Sequence, residues 1–168
     1  MKGRPMHRSR RAAAVALLTL LSTGVMAGAC SVSATAVSFG QYQALDFAGK
    51  LASTDRTTNA TVSVVCTAIV GGGSYRLSLG PSTQGNSIVP RYLARSASAP
   101  GMAFNIYLDG TYTSVWGDGF TGAVIIANLP VGDSVHTHTV FGKIPAGQSA
   151  LTAGAYSASL TITITYSP

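Results

Sequence analysis

The chain has 168 residues, 46% of them hydrophobic and only 10% charged, with 19 glycines, five acidic residues that are all aspartate, and a formal net charge of +6. That length supports one domain with a real core and excludes two. The charge does not make a nucleic-acid surface, because Lys2, Arg4, Arg8, Arg10 and Arg11 supply five of the eleven basic residues, all ahead of the apolar run that starts at Ala12, and the remainder is nearly neutral.

The basic start, the apolar stretch from Ala12 to Leu21 and the small residues Ala27-Gly28-Ala29 read as a cleaved secretory signal over residues 1–29. The mature domain is then expected to span residues 30–168. Thr19, Ser22, Thr23 and Gly24 interrupt the run before it reaches the ~20 apolar residues of a spanning helix, so no membrane span is expected after cleavage. Export places Cys30 and Cys66 in an oxidising compartment, where one intramolecular bridge is the economical reading. Closing that loop should contribute roughly 3–4 kcal/mol. The alternative is a lipoprotein whose Cys30 carries the lipid.

From Cys30 onward the apolar residues repeat every second position, the period of a strand. Val32, Ala34 and Ala36 mark a first strand; Val62, Val64 and Cys66 mark a second, with Cys66 pointing inward. Gly71-Gly72-Gly73 reads as a hairpin connection to a third strand over Tyr75 to Leu79. Residues 89–97 form a weaker strand that Pro90 assigns to an edge. Met102, Phe104, Ile106 and Leu108 define the next. Short strands follow at Val124 to Ala127 and Thr137 to Ile144, with turn signals at Pro130, Gly132-Asp133 and Pro145-Ala146-Gly147. The most regular segment is the last, where Tyr156, Ala158, Leu160, Ile162, Ile164 and Tyr166 alternate with Ser and Thr. About seven short strands separated by turns describe an all-β, immunoglobulin-like sandwich.

Catalytic constellations are missing from this pattern. A glycosidase needs two facing carboxylates, yet the aspartates sit in turns such as Asp109-Gly110 and Asp118-Gly119. No G-x-S-x-G nucleophile elbow occurs, and the glycine triplet lacks the following helix that would cradle phosphate. His136 and His138 share one side of a strand but have no evident third metal ligand, and read as surface or turn histidines. Trp116 could stack a sugar, although a lone Trp in a sandwich is more often a core anchor. The chain therefore reads as non-enzymatic, with no cofactor or metal.

Several blocks converge on one family. Cys30-Ser31-Val32-Ser33-Ala34-Thr35, Val37-Ser38-Phe39-Gly40 and Val62-Ser63-Val64-Val65-Cys66-Thr67 resemble the opening of spore coat protein U domains, which are related to archaic chaperone–usher pilins. Phe104 to Leu108 with Val115-Trp116-Gly117-Asp118-Gly119, Thr137 to Gln148, Ala153 to Ser157 and Thr163 to Tyr166 resemble the rest in order. The resemblance implies a pilin-like sandwich lacking its final strand, with Trp116, Gly117, Asp118 and Gly119 as a core and turn signature. It also implies a groove between first and last strands, completed first by a periplasmic chaperone and then, at an usher, by a neighbouring subunit. The groove residues assigned on that basis are Val32, Ala34, Ala36, Leu160, Ile162, Ile164 and Tyr166.

With the most regular strand last, its outer edge is expected to be open to pairing. Almost nothing precedes Cys30 after cleavage, so a tip or terminating subunit is expected. The protein is expected in the periplasm and then at the cell surface or outside the cell. The competing readings are a self-folding secreted coat or matrix protein, and a carbohydrate-binding module that uses Trp116.

Overall fold

The computed structural model describes residues 28–44, 53–95 and 101–167. The leader assigned to residues 1–29 lies almost wholly outside them. Within the described residues the secondary structure is all β, and no helix is long and apolar enough to cross a membrane. Eight strands form: β1 (Ala29–Ala34), β2 (Arg56–Ile69), β3 (Gly73–Leu79), β4 (Arg91–Leu93), β5 (Met102–Tyr107), β6 (Ile125–Leu129), β7 (Gly132–Ile144) and β8 (Ile162–Ser167). They make a five-stranded sheet in the order β1-β2-β7-β5-β4 and a three-stranded sheet in the order β6-β3-β8. Every strand pairing is antiparallel.

Alternation decides what fills the space between the sheets. Val62, Val64 and Cys66 from β2 meet Tyr75, Leu77 and Leu79 from β3 in one buried cluster. Met102, Phe104 and Ile106 from β5, Leu129 from β6, and Val140 and Ile144 from β7 complete it. Each such side chain contributes about 1.5–3 kcal/mol on full burial, so the long pair β2/β7 and its neighbour β5 form the stable centre.

Several expectations change here. The glycine triplet is not a hairpin: β2 pairs with β1 and β7, whereas β3 pairs with β6 and β8. Gly71, Gly72 and Gly73, at φ of 83°, 77° and 143°, carry the chain from one sheet to the other, a path that side-chain-bearing residues adopt only under strain. Gly132-Asp133 is not a turn but the start of β7. There the β2/β7 register shifts between Cys66 and Ile69, Ala68 takes a φ of 54°, and its N–H donates to Asp133 Oδ1 at 2.8 Å. The Asp thus closes a β-bulge. Pro90 does precede an edge strand, the short β4.

β8 is also shorter than its alternation suggested. Residues 156–161 keep the alternate burial of a strand, with Tyr156, Ala158 and Leu160 half-buried, but they form no ladder. Among the described residues its backbone ties are those of Ser157, bonded to Ala94 through both backbone groups, and of Thr161, accepting from Gly80.

Trp116 is 2% exposed and belongs to the core, with its Nε1 donating to Leu77 O at 3.2 Å. A buried indole offers no stacking face to a sugar, which removes the basis of the Trp116 carbohydrate reading. The following turn is equally constrained. A Cβ at Gly117 would lie 1.7 Å from Thr121 O, so no side chain fits. Asp118 Oδ1 accepts from the N–H groups of Phe120 and Thr121 at 2.8 and 2.7 Å.

Candidate functional site: an open seam between the first and last strands

β1 and β8 are edge strands of opposite sheets, and among the described residues no ladder joins them. β1 is secured to β2 alone. Cys30 and Cys66 are register partners, 4.1 Å apart at Cα, and their sulfurs are bonded. Among the described residues there is no free cysteine.

The seam has two parts. Along β1 and β8 it is narrow, with Cα atoms of the two strands within 8 Å in places. Towards the other pole the chain leaves β1 through residues 37–44 and approaches β8 through residues 151–158. These two segments flank a cavity of about 890 Å³ whose lining includes Leu93, Met102 and Ile144. Phe39 is held in one wall by an edge contact with Phe104, centroids 6.1 Å apart. It lies so close to Gly142 that a Cβ there would be 2.8 Å from Phe39 Cζ. Tyr42 donates to Pro145 O at 2.8 Å and accepts from Gln148 N–H at 3.2 Å. In the opposite wall Tyr156 donates to Thr152 O at 2.8 Å.

The seven residues assigned to the groove divide accordingly. Leu160, Ile162, Ile164 and Tyr166 are half-buried against the core, as is Val32 in β1. Tyr166 Oη donates to Gly72 O at 2.9 Å, anchoring the end of β8. Ala34 is exposed at the end of β1, and Ala36 lies beyond it, also exposed. The β1/β2 ladder ends at Ala34 opposite Val62, and after Thr35 N–H donates to Thr61 O and Thr35 Oγ1 accepts from Thr61 N–H the chain departs. None of the seven lines the cavity. Val37, Phe39, Tyr42, Leu151, Tyr156 and Ala158 do. Their advance signals were the Val37-Ser38-Phe39-Gly40 block of the family resemblance and the start of the final periodic segment at Tyr156 and Ala158.

A second feature escaped sequence reasoning. Arg91, in the strand read as weak, is fully buried. Its guanidinium donates to Gly80 O (2.9 Å), Asn105 Oδ1 (2.6 Å), Leu79 O (2.8 Å) and Trp116 O (2.9 Å). Burial lowers its pKa to about 10, so it remains charged and braces β3, β5 and the Trp116 turn together. His136 and His138 also depart from expectation, since they face the interior rather than solvent.

At the surface, Asp109 accepts from Thr111, Thr113 and Ser114, and these bonds, led by the Thr111 hydroxyl, hold its carboxyl well below the usual range. This is turn chemistry, as expected of Asp-Gly. Among the described residues no group of three or more His, Cys, Asp or Glu side chains gathers to hold a metal.

Comparison with solved structures finds 28 matching chains, pilus and fimbrial proteins among them. The P pilus rod subunit PapA is 19% identical over 82% of this chain and 99% of its own, with a TM-score of 0.48. A chaperone–usher pilus solved to explain rod uncoiling is 17% identical over 98% of this chain and 100% of its own, with a TM-score of 0.46. A chaperone–tip adhesin complex of CFA/I fimbriae biogenesis is 14% identical over 82% of this chain and 42% of its own, with a TM-score of 0.42. Comparison with curated proteins finds no match. Residues 16–163 match the Spore Coat Protein U domain, a span that begins inside the expected leader and runs through β1 to β7 into the first two residues of β8, and the chain belongs to that family.

Proposed function

We propose that this protein is an exported, non-enzymatic structural subunit of a surface fibre or coat, assembled along a chaperone–usher route by accepting a β-strand from a partner chain. Its partners are then a periplasmic chaperone, an usher and neighbouring subunits, and its destination is the cell surface. The observation that carries this reading is the half-buried row Tyr156, Ala158, Leu160, Ile162, Ile164 and Tyr166, which borders an unpaired sheet edge and leads into an apolar-floored cavity. An added strand would gain backbone bonds along the edge and lodge alternate side chains in the seam.

Leu160, Ile162, Ile164 and Tyr166 are already half-buried, so covering them adds only about half of the ~1.5–3 kcal/mol each that full burial contributes. The gain is about 3–6 kcal/mol before ordering costs, on the scale of a domain's ~5–15 kcal/mol total stability. The isolated subunit is accordingly marginal, and a cognate chaperone should raise its soluble yield.

A self-folding coat protein is the second reading, favoured by the close approach of β1 and β8 at the narrow end. Periplasmic expression with and without the cognate chaperone separates the two. Strong chaperone dependence supports strand acceptance, and equal yields of a monomer support self-sufficiency. The intact mass reports on Cys30: two hydrogens lost fits the bridge, whereas a lipid increment contradicts it.

A further inference from the structure

β7 turns a polar row into the sandwich. Ser134, His136 and His138 are half-buried and alternate with the exposed Asp133, Val135 and Thr137. Their register partners on β2, Cys66, Val64 and Val62, are all buried. Across the interior stands Tyr75 of β3, 1% exposed. Its ring makes edge contacts with both imidazoles, at centroid distances of 5.5 Å to His136 and 5.9 Å to His138. The Tyr75 hydroxyl lies 2.5 Å from His138 Nε2. His136 Nε2 and Ser134 Oγ are buried without a hydrogen-bond partner. The row is not a metal site: no third His, Cys, Asp or Glu joins it among the described residues, and the Tyr75 hydroxyl already occupies the His138 nitrogen.

The row can, however, take up protons. Neutral His138 accepts the Tyr75 hydroxyl hydrogen at Nε2, tying β7 to β3. Protonated His138 carries N–H at that atom and can only donate to the Tyr75 oxygen, which forces the Tyr75 hydroxyl hydrogen off His138 and leaves a cation inside the sandwich. Charging His136 as well places two cations on one face of one strand in a low-dielectric interior, where like charges repel strongly.

No carboxylate among the described residues faces the pair to compensate. Asp133 points outward and accepts from Ala68, and Asp118 accepts from the amides of its own turn. β2 presents two valines and the bridged Cys66, and β6 presents Ile125, Ala127 and Leu129. Beside Tyr75, β8 presents Tyr166, whose hydroxyl donates to Gly72 O. Burial first, and then His136, hold His138 below the ordinary histidine pKa. This half of β7 is also the less supported one, because β5 pairs with β7 only through Phe141, Gly142 and Lys143.

We propose that His136 and His138 form an acid-sensitive lock between the two sheets, which holds β7 to β3 through Tyr75 when neutral and releases the first half of β7 when protonated. An unfolded chain takes up a proton on His138 near pH ~6.5, which folded His138 resists because it is buried beside His136. Unfolding therefore binds protons, and stability that is complete above that pH falls as the pH drops below it. Each proton bound on unfolding lowers the folding constant about tenfold per pH unit. The window belongs to this pair, since the only other histidine is His7 in the expected leader and aspartates titrate near ~3.9.

Urea unfolding of the oxidised full chain at pH 5.0, 5.5, 6.0 and 7.5 reads the effect directly. Uptake of up to about one proton on unfolding is expected between pH 5 and 6, and an uptake near zero overturns the lock. The double variant His136→Gln/His138→Gln is expected to lose the dependence, and an unchanged slope in it also overturns the proposal. Should that variant fail to fold, ring-proton NMR of the wild type decides. A His138 midpoint below that of a histidine in an unfolded peptide supports the lock, and one at or above it refutes the idea.

Discussion

Leu160 and Ile162 sit at the middle of the seam, between the cavity and the narrow end, and both are half-buried in the open subunit. If a partner strand completes the fold, each loses its remaining exposure on binding, a contribution of about 1 kcal/mol apiece from the ~1.5–3 kcal/mol of full burial. Leu160→Ala/Ile162→Ala should therefore weaken strand uptake by about 2 kcal/mol, on the order of thirtyfold in dissociation constant. The assay is fluorescence anisotropy of a labelled peptide of alternating apolar residues, titrated with oxidised subunit. Urea unfolding of the same variants without peptide measures what the truncation costs the open form. Thr161→Ser and Thr163→Ser, on the exposed side of the same segment, should leave affinity unchanged. Equal affinity for wild type and the double alanine variant would refute the argument, because the side chains would then not be covered by the strand.

Cys30→Ser/Cys66→Ser should cost roughly 3–4 kcal/mol of stability, read as a lower urea midpoint, and should free β1 at the rim of the seam. Arg91→Met should cost about 3–5 kcal/mol, since it removes the guanidinium donor from Gly80 O, Leu79 O and Trp116 O and leaves Asn105 Oδ1 with the Ile106 N–H alone; Arg91→Lys, with one compact ammonium, should recover little of it in the same unfolding assay. Gly117→Ala should abolish folding, visible as loss of soluble oxidised protein, because the Thr121 carbonyl occupies the space of the new methyl.

Strand identity was legible wherever one face of a strand met the core, because period-two alternation is a direct imprint of one-sided burial. Val62-Val64-Cys66, Met102-Phe104-Ile106 and the final segment all read correctly in kind. Pairing partners were not legible. The glycine triplet carries the signal of a tight turn, and nothing local distinguishes a hairpin from a crossing between sheets. The final alternation predicted burial from Tyr156 onward, but ladder formation needs a neighbouring strand, and only Ile162–Ser167 has one in β3.

Arg91 was overlooked and the histidines were misplaced for a common reason. Polar residues are assigned to solvent by default, whereas Arg91 finds four acceptors in the interior and His138 finds Tyr75. The groove assignment drew its residues from the first and last strands. It missed the cavity because residues 37–44 and 151–155 carry no strand periodicity strong enough to place them.

The central claim is that the β8 edge is unpaired in the isolated subunit and becomes paired in the assembled one. Amide hydrogen exchange across residues 162–167, with and without a saturating complementary peptide, measures this most directly. The predicted result is fast exchange at the alternate amides that point away from β3, slowing by orders of magnitude when the peptide binds. Full protection of those amides in the lone subunit, unchanged by any peptide, would contradict the account.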